Sequence, residues 1–357
     1  MTQDAGVEPR RRPGIRAVAR RAGVSLGTVS AVLNEKASVS ADARDRVERA
    51  MRELMYVRPD GLPRKEGMMG LLTPDVRNPI FPLLSVVVSD IAARAGYTTV
   101  IHSTDPRGTD ESLAERERAG MHHLLDRGII GMILLSGEAP DVNGSHEHFA
   151  QLSGLGAQMV LVNAPNDTLN IPCVGVDERA AGVLAAEHLV ALGHERIGII
   201  GGAESFLHVR QRLQGVEAAL ERHGLTLDPA NVIHCGWGAP DGFEGFKRVL
   251  ELDGDRRPTG LIASSDFLAF GVMRAAADAG LQLPGDLSIV GFDGIEACEY
   301  SLPRLTTIEQ PIADIATASV RILAELLDGE SRDTRSVLFR PRLVERESTA
   351  PPRGDRR

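Results

Sequence analysis

Short apolar runs alternate with helical stretches along most of the chain. Beyond the first 67 residues, nine runs have the length and β-branched composition of buried strands, and lengths suited to single helices separate them, as over 180–192 and 209–223. The runs read MMGLLTP, TTVIHST, IIGMILLS, QMVLVN, CVGVD, RIGIIGG, NVIHCG, TGLIASS and LSIVGFD. Strands joined through helices form parallel sheets covered by helices. Nine strands are many for one open sheet, so the pattern predicts an α/β fold with two lobes.

The N-terminal segment has a helical period instead. An apolar face repeats over residues 15 to 22, and Gly23 ends that helix because a residue without a Cβ enters a left-handed turn freely. Ser25 is placed to cap a second helix and Ser40 a third. The predicted core positions are Ile15, Val18, Ala19, Ala22, Val29, Val32, Leu33, Val47, Ala50, Met51 and Leu54. Two helices joined by a tight glycine turn, closed by a third, form a helix-turn-helix.

Composition narrows the class of protein. Of the 357 residues, 43% are apolar and 25% charged, which is typical of a soluble α/β protein with two or three domains. No apolar run reaches the ~18 residues of a membrane span, and the N-terminus lacks the apolar segment of a signal peptide, so we expect a cytoplasmic protein without membrane contact. Cys173, Cys235 and Cys298 are widely spaced, which favours buried thiols over disulfides or a zinc site.

Charge is distributed unevenly along the chain. Residues 1–67 carry 14 Lys and Arg against 9 Asp and Glu, a net +5, within a total of -9, so the remainder carries -14. A small basic module on an acidic body suits attraction to nucleic-acid phosphates. A solvated, arginine-rich helix would give the same balance, and charge alone leaves both interpretations open.

The N-terminal motifs resemble a known DNA-binding head. AGVSLGTVSAVLN and VSADARDRVERAMRELMYVRPD are similar to the head of the LacI/GalR (lac repressor) family, including the A-G-V-S turn and the Y-x-x-P ending. The resemblance implies a headpiece over 13–58 whose second helix enters the major groove of double-stranded DNA. It also implies phosphate contacts from Ser25, Thr28, Ser30 and Asn34, although these residues could serve only as helix caps.

Three residues on the second helix depart from what base reading usually needs. Leu26, Gly27 and Ala31 stand at the family's base-reading positions, and none can donate two hydrogen bonds to guanine. Leu26 and Ala31 can pack on thymine methyl groups. We therefore expect an operator that is A·T-leaning or recognised by its shape.

The predicted linker, 59–68, also differs from the family. DGLPRKEGMMG occupies the place of a hinge helix whose leucine wedges into the minor groove, and Pro63 alone would cost a helix interior ~3 kcal/mol. Leu62 is the apolar candidate for the wedge. Without a side chain inserted between base pairs, the protein lacks the contact that bends the operator. Residues 1–12 are predicted to be a disordered basic tail, or alternatively a minor-groove arm through Arg10 to Arg12.

The rest of the chain resembles the ligand-binding core of the same family. The similarity runs through GLLTPDVRNPIFP, AAEHLVALGHERIGIIGG, PGDLSIVGFDGIE, PRLTTIEQP and RLVEREST. It implies a two-lobed core over 69–346, similar to periplasmic sugar-binding proteins, with a small-molecule effector between the lobes. It also implies a homodimer. The segment 347–357 has no apolar heptads and is predicted to be a disordered tail.

Candidate ligand contacts lie where the predicted strands end. Ligands of open α/β sheets bind outside the carboxyl ends of strands, and the polar residues there are Asp75, Ser136, Asn163, Asp177, Ser265, Asp266 and Asp293. Matching to the family motifs selects Phe81, Ser136, Asn163, Arg212, Trp237, Ser265 and Asp293. Arg212 and Asp293 can bind hydroxyl or carboxylate groups, and the two aromatic rings offer flat apolar faces. Capping of helices, or packing in the core, is the alternative for each.

Motifs of common enzymes are missing from the sequence. It contains no phosphate-binding loop and no H-E-x-x-H pair, and the His122–His123 and His146–His148 pairs lie in polar segments expected to be solvated. We therefore expect no catalytic activity, no cofactor and no metal. The sequence predicts a ligand-responsive transcriptional regulator, a dimeric repressor on a pseudo-palindromic operator. The alternative is a small-molecule-binding protein with weak or lost specific DNA binding.

Overall fold

The computed structural model describes residues 15–33, 39–53, 67–104, 111–166, 168–329 and 336–353. The chain divides into two compact units, Met1–Leu62 and Pro63–Arg357. In the described ranges, no helix is both long enough and apolar enough to cross a membrane.

The first unit is the predicted three-helix domain. Its helices are α1 (Ile15–Ala22), α2 (Leu26–Leu33) and α3 (Ala41–Glu53). Gly23 has the left-handed φ of +66° that the turn requires, and Ser40 Oγ accepts the backbone N–H of Ala43 at 3.3 Å to cap α3. The buried side chains are Val18, Ala19, Ala22, Val29, Val32, Val47 and Ala50, as predicted, with Ile15 and Met51 at the margin. Leu54 and the side chain of Leu33 lie outside the described part.

The second unit contains two sheets. Its strands are β1 (Gly67–Thr73), β2 (Tyr97–Ser103), β3 (Gly131–Leu135), β4 (Met159–Val162), β5 (Cys173–Val176), β6 (Ile197–Gly201), β7 (Val232–His234), β8 (Gly260–Ala263), β9 (Ser288–Asp293), β10 (Thr306–Glu309), β11 (Val337–Phe339) and β12 (Arg342–Val344). Their orders are β11-β5-β4-β3-β1-β2 and β12-β10-β9-β8-β6-β7. All pairings are parallel except that of β10 with β12.

Helices cover both sheets. They are α4 (Ile80–Arg94), α5 (Leu113–Asp126), α6 (Glu147–Gly154), α7 (Glu178–Ala191), α8 (Leu207–Arg222), α9 (Ala239–Leu250), α10 (Asp266–Asp278) and α11 (Ile312–Leu327). This architecture confirms the predicted two-lobed α/β core, and each of the nine predicted strands is present. β10, β11 and β12 were not among the predicted strands.

The chain crosses between the lobes three times. The crossings lie between β5 and α7, between β10 and α11, and between β11 and β12. α11 packs on α4 and on β4 of the first lobe, although β10 before it belongs to the second lobe. The crossings therefore bring the ends of β5 and β10 to the boundary between the lobes.

The borders of the core differ from the predicted ones. β1 begins at Gly67, two residues inside the predicted linker. At the other end, Ser348 is fully buried and donates to the Ile289 carbonyl at 2.6 Å, and Arg353 pairs with Asp286 at 2.9 Å. The core thus extends to Arg353 rather than ending at 346, because hydrogen bonding fixes a segment without an apolar pattern. Only 354–357 of the predicted tail lie outside the described residues.

Two of the three cysteines behave as predicted. Cys173 and Cys298 are buried, whereas Cys235 is half-buried, and all three are free thiols. Burial raises the pKa of Cys235 to about 11, so this thiol is not activated.

Candidate functional site

The exposed end of α2 forms the candidate DNA-binding surface. Leu26 is 45% exposed, and Gly27 and Ser30 also face solvent, while Thr28 and Ala31 are half-buried. Asn34 lies outside the described residues. The predicted contact residues that are described therefore lie together along the first two turns of α2, where backbone N–H groups and the helix dipole favour a phosphate.

Ser25 has a structural role at this surface. Its Oγ accepts the backbone N–H of Thr28 at 3.0 Å and lies 2.9 Å from the Thr28 hydroxyl. Ser25 therefore caps α2, as one of the two interpretations predicted. A phosphate contact by the same hydroxyl stays a prediction. Arg46 donates to the carbonyl of Gly23 at 3.1 Å, which fixes the turn that precedes α2.

Three predicted ligand residues share an unusual backbone conformation. Ser136, Asn163 and Asp293 have φ values of 53°, 51° and 123°, and in the described ranges no other non-glycine residue has a positive φ. Each follows or ends a parallel strand, β3, β4 and β9 respectively. Positive φ in non-glycine residues is costly and concentrates at binding sites. The strained positions therefore mark the carboxyl ends of the strands of both lobes as a candidate site.

Gln310 joins the two lobes at this site. Its Oε1 accepts a hydrogen bond from the Asn163 amide at 2.7 Å, and its Nε2 donates to Asp293 Oδ1 at 2.8 Å. The Asn163 Oδ1 in turn accepts the backbone N–H of Val176 at 3.0 Å. Gln310 was not among the predicted residues. The signal that marks it is a buried polar side chain directly after β10, where the chain crosses between lobes.

Arg212 is buried and forms an ion pair. Its Nε and Nη2 donate to Glu178 Oε2 at 3.0 and 2.5 Å, its Nη1 donates to the Ser264 carbonyl at 2.7 Å, and its guanidinium lies 3.5 Å from the centre of the Phe292 ring. Burial raises the pKa of Glu178, and the charge and hydrogen bonds of Arg212 oppose that rise. Two N–H groups that converge on one oxygen favour the ionised carboxylate. Glu178 was also missed, since nothing in the sequence relates it to Arg212.

Two buried acidic side chains lie close together at the candidate site, Asp266 and Asp293. Asp266 accepts the backbone N–H groups of Gly294 and Ile295 at 2.7 and 2.9 Å, and burial raises its pKa to about 6. Burial and the neighbouring Asp266 raise the pKa of Asp293 well above its ordinary value. Within the described residues, Asp293 Oδ2 has no hydrogen-bond partner. Asp293 is therefore able to bind a further polar group, whereas Asp266 holds the loop after β9.

An aromatic wall lies on the second lobe. The Trp237 ring is 36% exposed and contacts Phe206 edge-on at 5.6 Å and His208 at 5.3 Å between ring centres. It also lies over Gly202, where a Cβ would come within 2.2 Å of the indole. Burial, and secondarily Arg212, lowers the pKa of His208 to about 3, so its ring is neutral near pH 7. Phe206 and His208 extend the predicted contact at Trp237.

The remaining predicted residues at strand ends and in the family motifs contact the protein itself, either across the cleft or as helix caps. Phe81 is half-buried against the core of the second lobe, although α4 belongs to the first, so it contacts across the cleft. Ser265 is 4% exposed, and its Oγ caps α10 by accepting the N–H of Leu268 at 3.0 Å. Asp177 likewise caps α7. Capping is thus the observed role of Ser265, and its contact with a ligand stays a prediction.

The prediction of solvated histidine pairs is wrong for His148. It is 5% exposed and its Nε2 lies 3.5 Å from Glu117 Oε2, while His122 and His123 are exposed. The His148 ring lies 4.1 Å from the ring of buried Phe149, tilted by 36° between the ring planes. In the part of the chain with described placement, no group of three His, Cys, Asp or Glu is arranged to hold a metal ion.

Comparison with known proteins matches both units. Residues 14–59 match the model of bacterial regulatory proteins, lacI family, and residues 186–349 match the periplasmic binding protein-like domain. The HTH-type transcriptional regulator MalR of Streptomyces coelicolor is 36% identical over 345 residues, which cover 95% of this chain and 97% of MalR.

Solved structures of regulators are also similar to this chain. The complex of the transcriptional regulator CelR with cellobiose has a TM-score of 0.68 and 26% identity, covering 94% of this chain and 100% of CelR. The lac repressor dimer bound to operator and the anti-inducer ONPF has a TM-score of 0.67 and 26% identity, covering 95% of this chain and 100% of that one. The chain thus matches its relatives across both units.

Proposed function

The chain belongs to the lacI family of bacterial regulatory proteins and is a transcriptional regulator, and we propose that it represses by binding a pseudo-palindromic operator as a homodimer. An effector in the cleft between the lobes controls that binding. The lac repressor in complex with operator is a dimer, and the same state for this chain would match its two heads to two half-sites. The relatives are regulators, and we expect this chain to act in the cytoplasm by binding alone, without catalysis.

One observation carries the effector part of the proposal. Gln310 bridges Asn163 of the first lobe and Asp293 of the second, at residues whose backbone is strained. A ligand that competes for these side chains would change how the lobes are held together. An effector that prefers one arrangement by ~1–3 kcal/mol alters operator affinity some 5- to 150-fold.

We further propose a sugar-like effector. The contact residues would be Phe81, Ser136, Asn163, Arg212, Trp237, Ser265 and Asp293. The exposed Trp237 ring supplies an apolar face for a sugar ring, and Asp293 and Arg212 supply hydrogen bonds to its hydroxyls. CelR, which has a similar structure, is complexed with cellobiose.

On the DNA side, the proposed contacts are Ser25, Leu26, Gly27, Thr28, Ser30, Ala31 and Asn34. The side chains described among them are small or apolar, which supports thymine and shape recognition over guanine recognition.

The test is an in vitro selection of random duplex DNA by the purified full chain at two salt concentrations. We expect a palindromic motif that persists at the higher salt. Binding that enriches no motif and vanishes at the higher salt would overturn the proposal and favour the alternative, a ligand-binding protein with a weak electrostatic head.

A further inference from the structure

The positive charge of Arg212 is already matched inside the proposed effector cleft. Arg212 and Glu178 are 4% and 5% exposed, and two of the three hydrogen bonds of the guanidinium go to Glu178 Oε2. The third goes to the uncharged Ser264 carbonyl. Because an arginine stays protonated in proteins, the buried pair carries no net charge.

Two other basic side chains near the cleft are neutral or paired, whereas Arg210 donates to the uncharged Glu204 carbonyl at 3.3 Å. His208, beside Trp237, is held neutral by burial. Arg77, which follows β1, binds both oxygens of Asp75 at 3.0 and 2.9 Å. Asp293 adds a carboxyl group that is either neutral or negative. At Arg212 itself, therefore, Glu178 already matches the positive charge that an anion would need.

We propose that the effector is an uncharged, hydroxyl-rich molecule and that Glu178 determines this specificity by occupying the charge of Arg212, which excludes phosphorylated and carboxylate ligands. The inference rests on the proposed function, because it concerns the same cleft. It names Glu178 as a residue that determines specificity and states that the effector is uncharged, and neither statement follows from the family assignment.

The physical reason is the cost of separating a buried pair. An anion that reached Arg212 would either displace Glu178, leaving its carboxylate buried without a partner, or add a second negative charge beside a pair whose positive charge is already matched. In both cases an unpaired charge is buried, which is strongly unfavourable. A neutral hydroxyl need not displace Glu178. Three of the five N–H groups of Arg212 are used, so two can donate to an uncharged oxygen while the pair stays intact.

The fluorescence of a single tryptophan can report ligand binding in the test. Trp237 is the single tryptophan of the chain and lies in the aromatic wall next to His208. Trp237 fluorescence, with calorimetry as a second readout, can therefore follow titration of the full chain. The probes are inorganic phosphate and the phosphate monoesters of glucose and ribose, each beside glucose, ribose and cellobiose as neutral counterparts.

Glu178→Gln is the informative variant, and Glu187→Gln is its matched control. Glu187 lies on the same helix but pairs at the surface with Arg222 and His223 at 2.9 and 2.7 Å. The wild type and Glu187→Gln are expected to bind no anion. Glu178→Gln keeps the shape of the side chain but releases the charge, so inorganic phosphate should bind it at least about tenfold more tightly than the wild type.

Each outcome decides a separate claim. A saturable response of the wild type to either phosphate monoester overturns the inference, even if Glu178→Gln does not fold. A folded Glu178→Gln protein that binds phosphate no better than the control also overturns it. Failure of every neutral sugar contradicts the sugar part of the proposed function, while the anion titrations still decide whether Glu178 excludes charge.

Discussion

Asn163 donates a hydrogen bond to Gln310 across 2.7 Å, although 147 positions separate the two residues in the sequence. The bond joins the end of β4 in the first lobe to the segment after β10, where the chain leaves the second lobe. Gln310 continues the connection to Asp293. The ends of strands in the two lobes are thus linked by one uncharged side chain, which an effector could replace.

Replacement of Gln310 by alanine should destabilise the core. The change leaves the Asn163 amide and Asp293 Oδ1 without their partner, and stranded buried polar groups cost about 1–3 kcal/mol. Chemical denaturation should show this loss for Gln310→Ala and no comparable loss for Gln151→Ala, which alters an exposed glutamine on α6. Equal stability of the two variants would mean that the bridge does not hold the lobes.

Local sequence patterns predict much of the fold, whereas hydrogen bonds between residues far apart in the sequence do not show in such patterns. Periodicity locates the nine predicted strands and the three headpiece helices, because those signals are local. The rule that ligands bind beyond the carboxyl ends of strands selects Ser136, Asn163 and Asp293. Glu178 and Gln310 escape prediction because their partners lie 34 and 147 positions away. Such pairings depend on the tertiary fold, which brings α7 against α8 and Gln310 between the lobes.

His208 should make the core less stable as the pH falls. Its pKa is about 3 when folded against 6.5 ordinarily, so the unfolded chain binds more protons between these values and stability rises with pH. From pH 7 to pH 5, this residue alone should remove about 2 kcal/mol. The raised pKa of Asp266 acts in the opposite direction between about 4 and 6, because there the folded state binds more protons.

The contribution of His208 can be isolated by difference. Denaturation of the wild type and His208→Asn at pH 7 and pH 5 should show a smaller loss of stability for the variant, since Asp266 is common to both. The exposed His122, replaced in the same way, should leave the wild-type loss unchanged. An identical pH dependence for His208→Asn and the wild type would contradict the assignment.

Leu26 should contribute to operator selection through apolar contact. It is 45% exposed at the start of α2, and truncation to alanine removes most of its apolar surface for a thymine methyl group, at about 0.8 kcal/mol for each buried CH₂ lost. Selection with Leu26→Ala should relax the preference at one base pair of each half-site and leave the spacing of half-sites unchanged. Leu155→Ala, at a surface leucine of the second unit, serves as the control. A wild-type motif with an invariant G at the recognition-helix contact would contradict this mode of recognition.

Ser25 allows the capping and phosphate-binding roles to be separated. Its Oγ caps α2, and aspartate caps helices as well as serine does, so Ser25→Asp should keep the stability of the headpiece. The added carboxylate would repel a phosphate, and operator affinity should fall about tenfold or more at low salt. Ser40→Asp introduces the same charge at the cap of α3 and should have a smaller effect. Fluorescence anisotropy with the selected operator measures both variants, and if Ser25→Asp and Ser40→Asp lose affinity equally, Ser25 acts only as a cap and the proposed phosphate contact is absent.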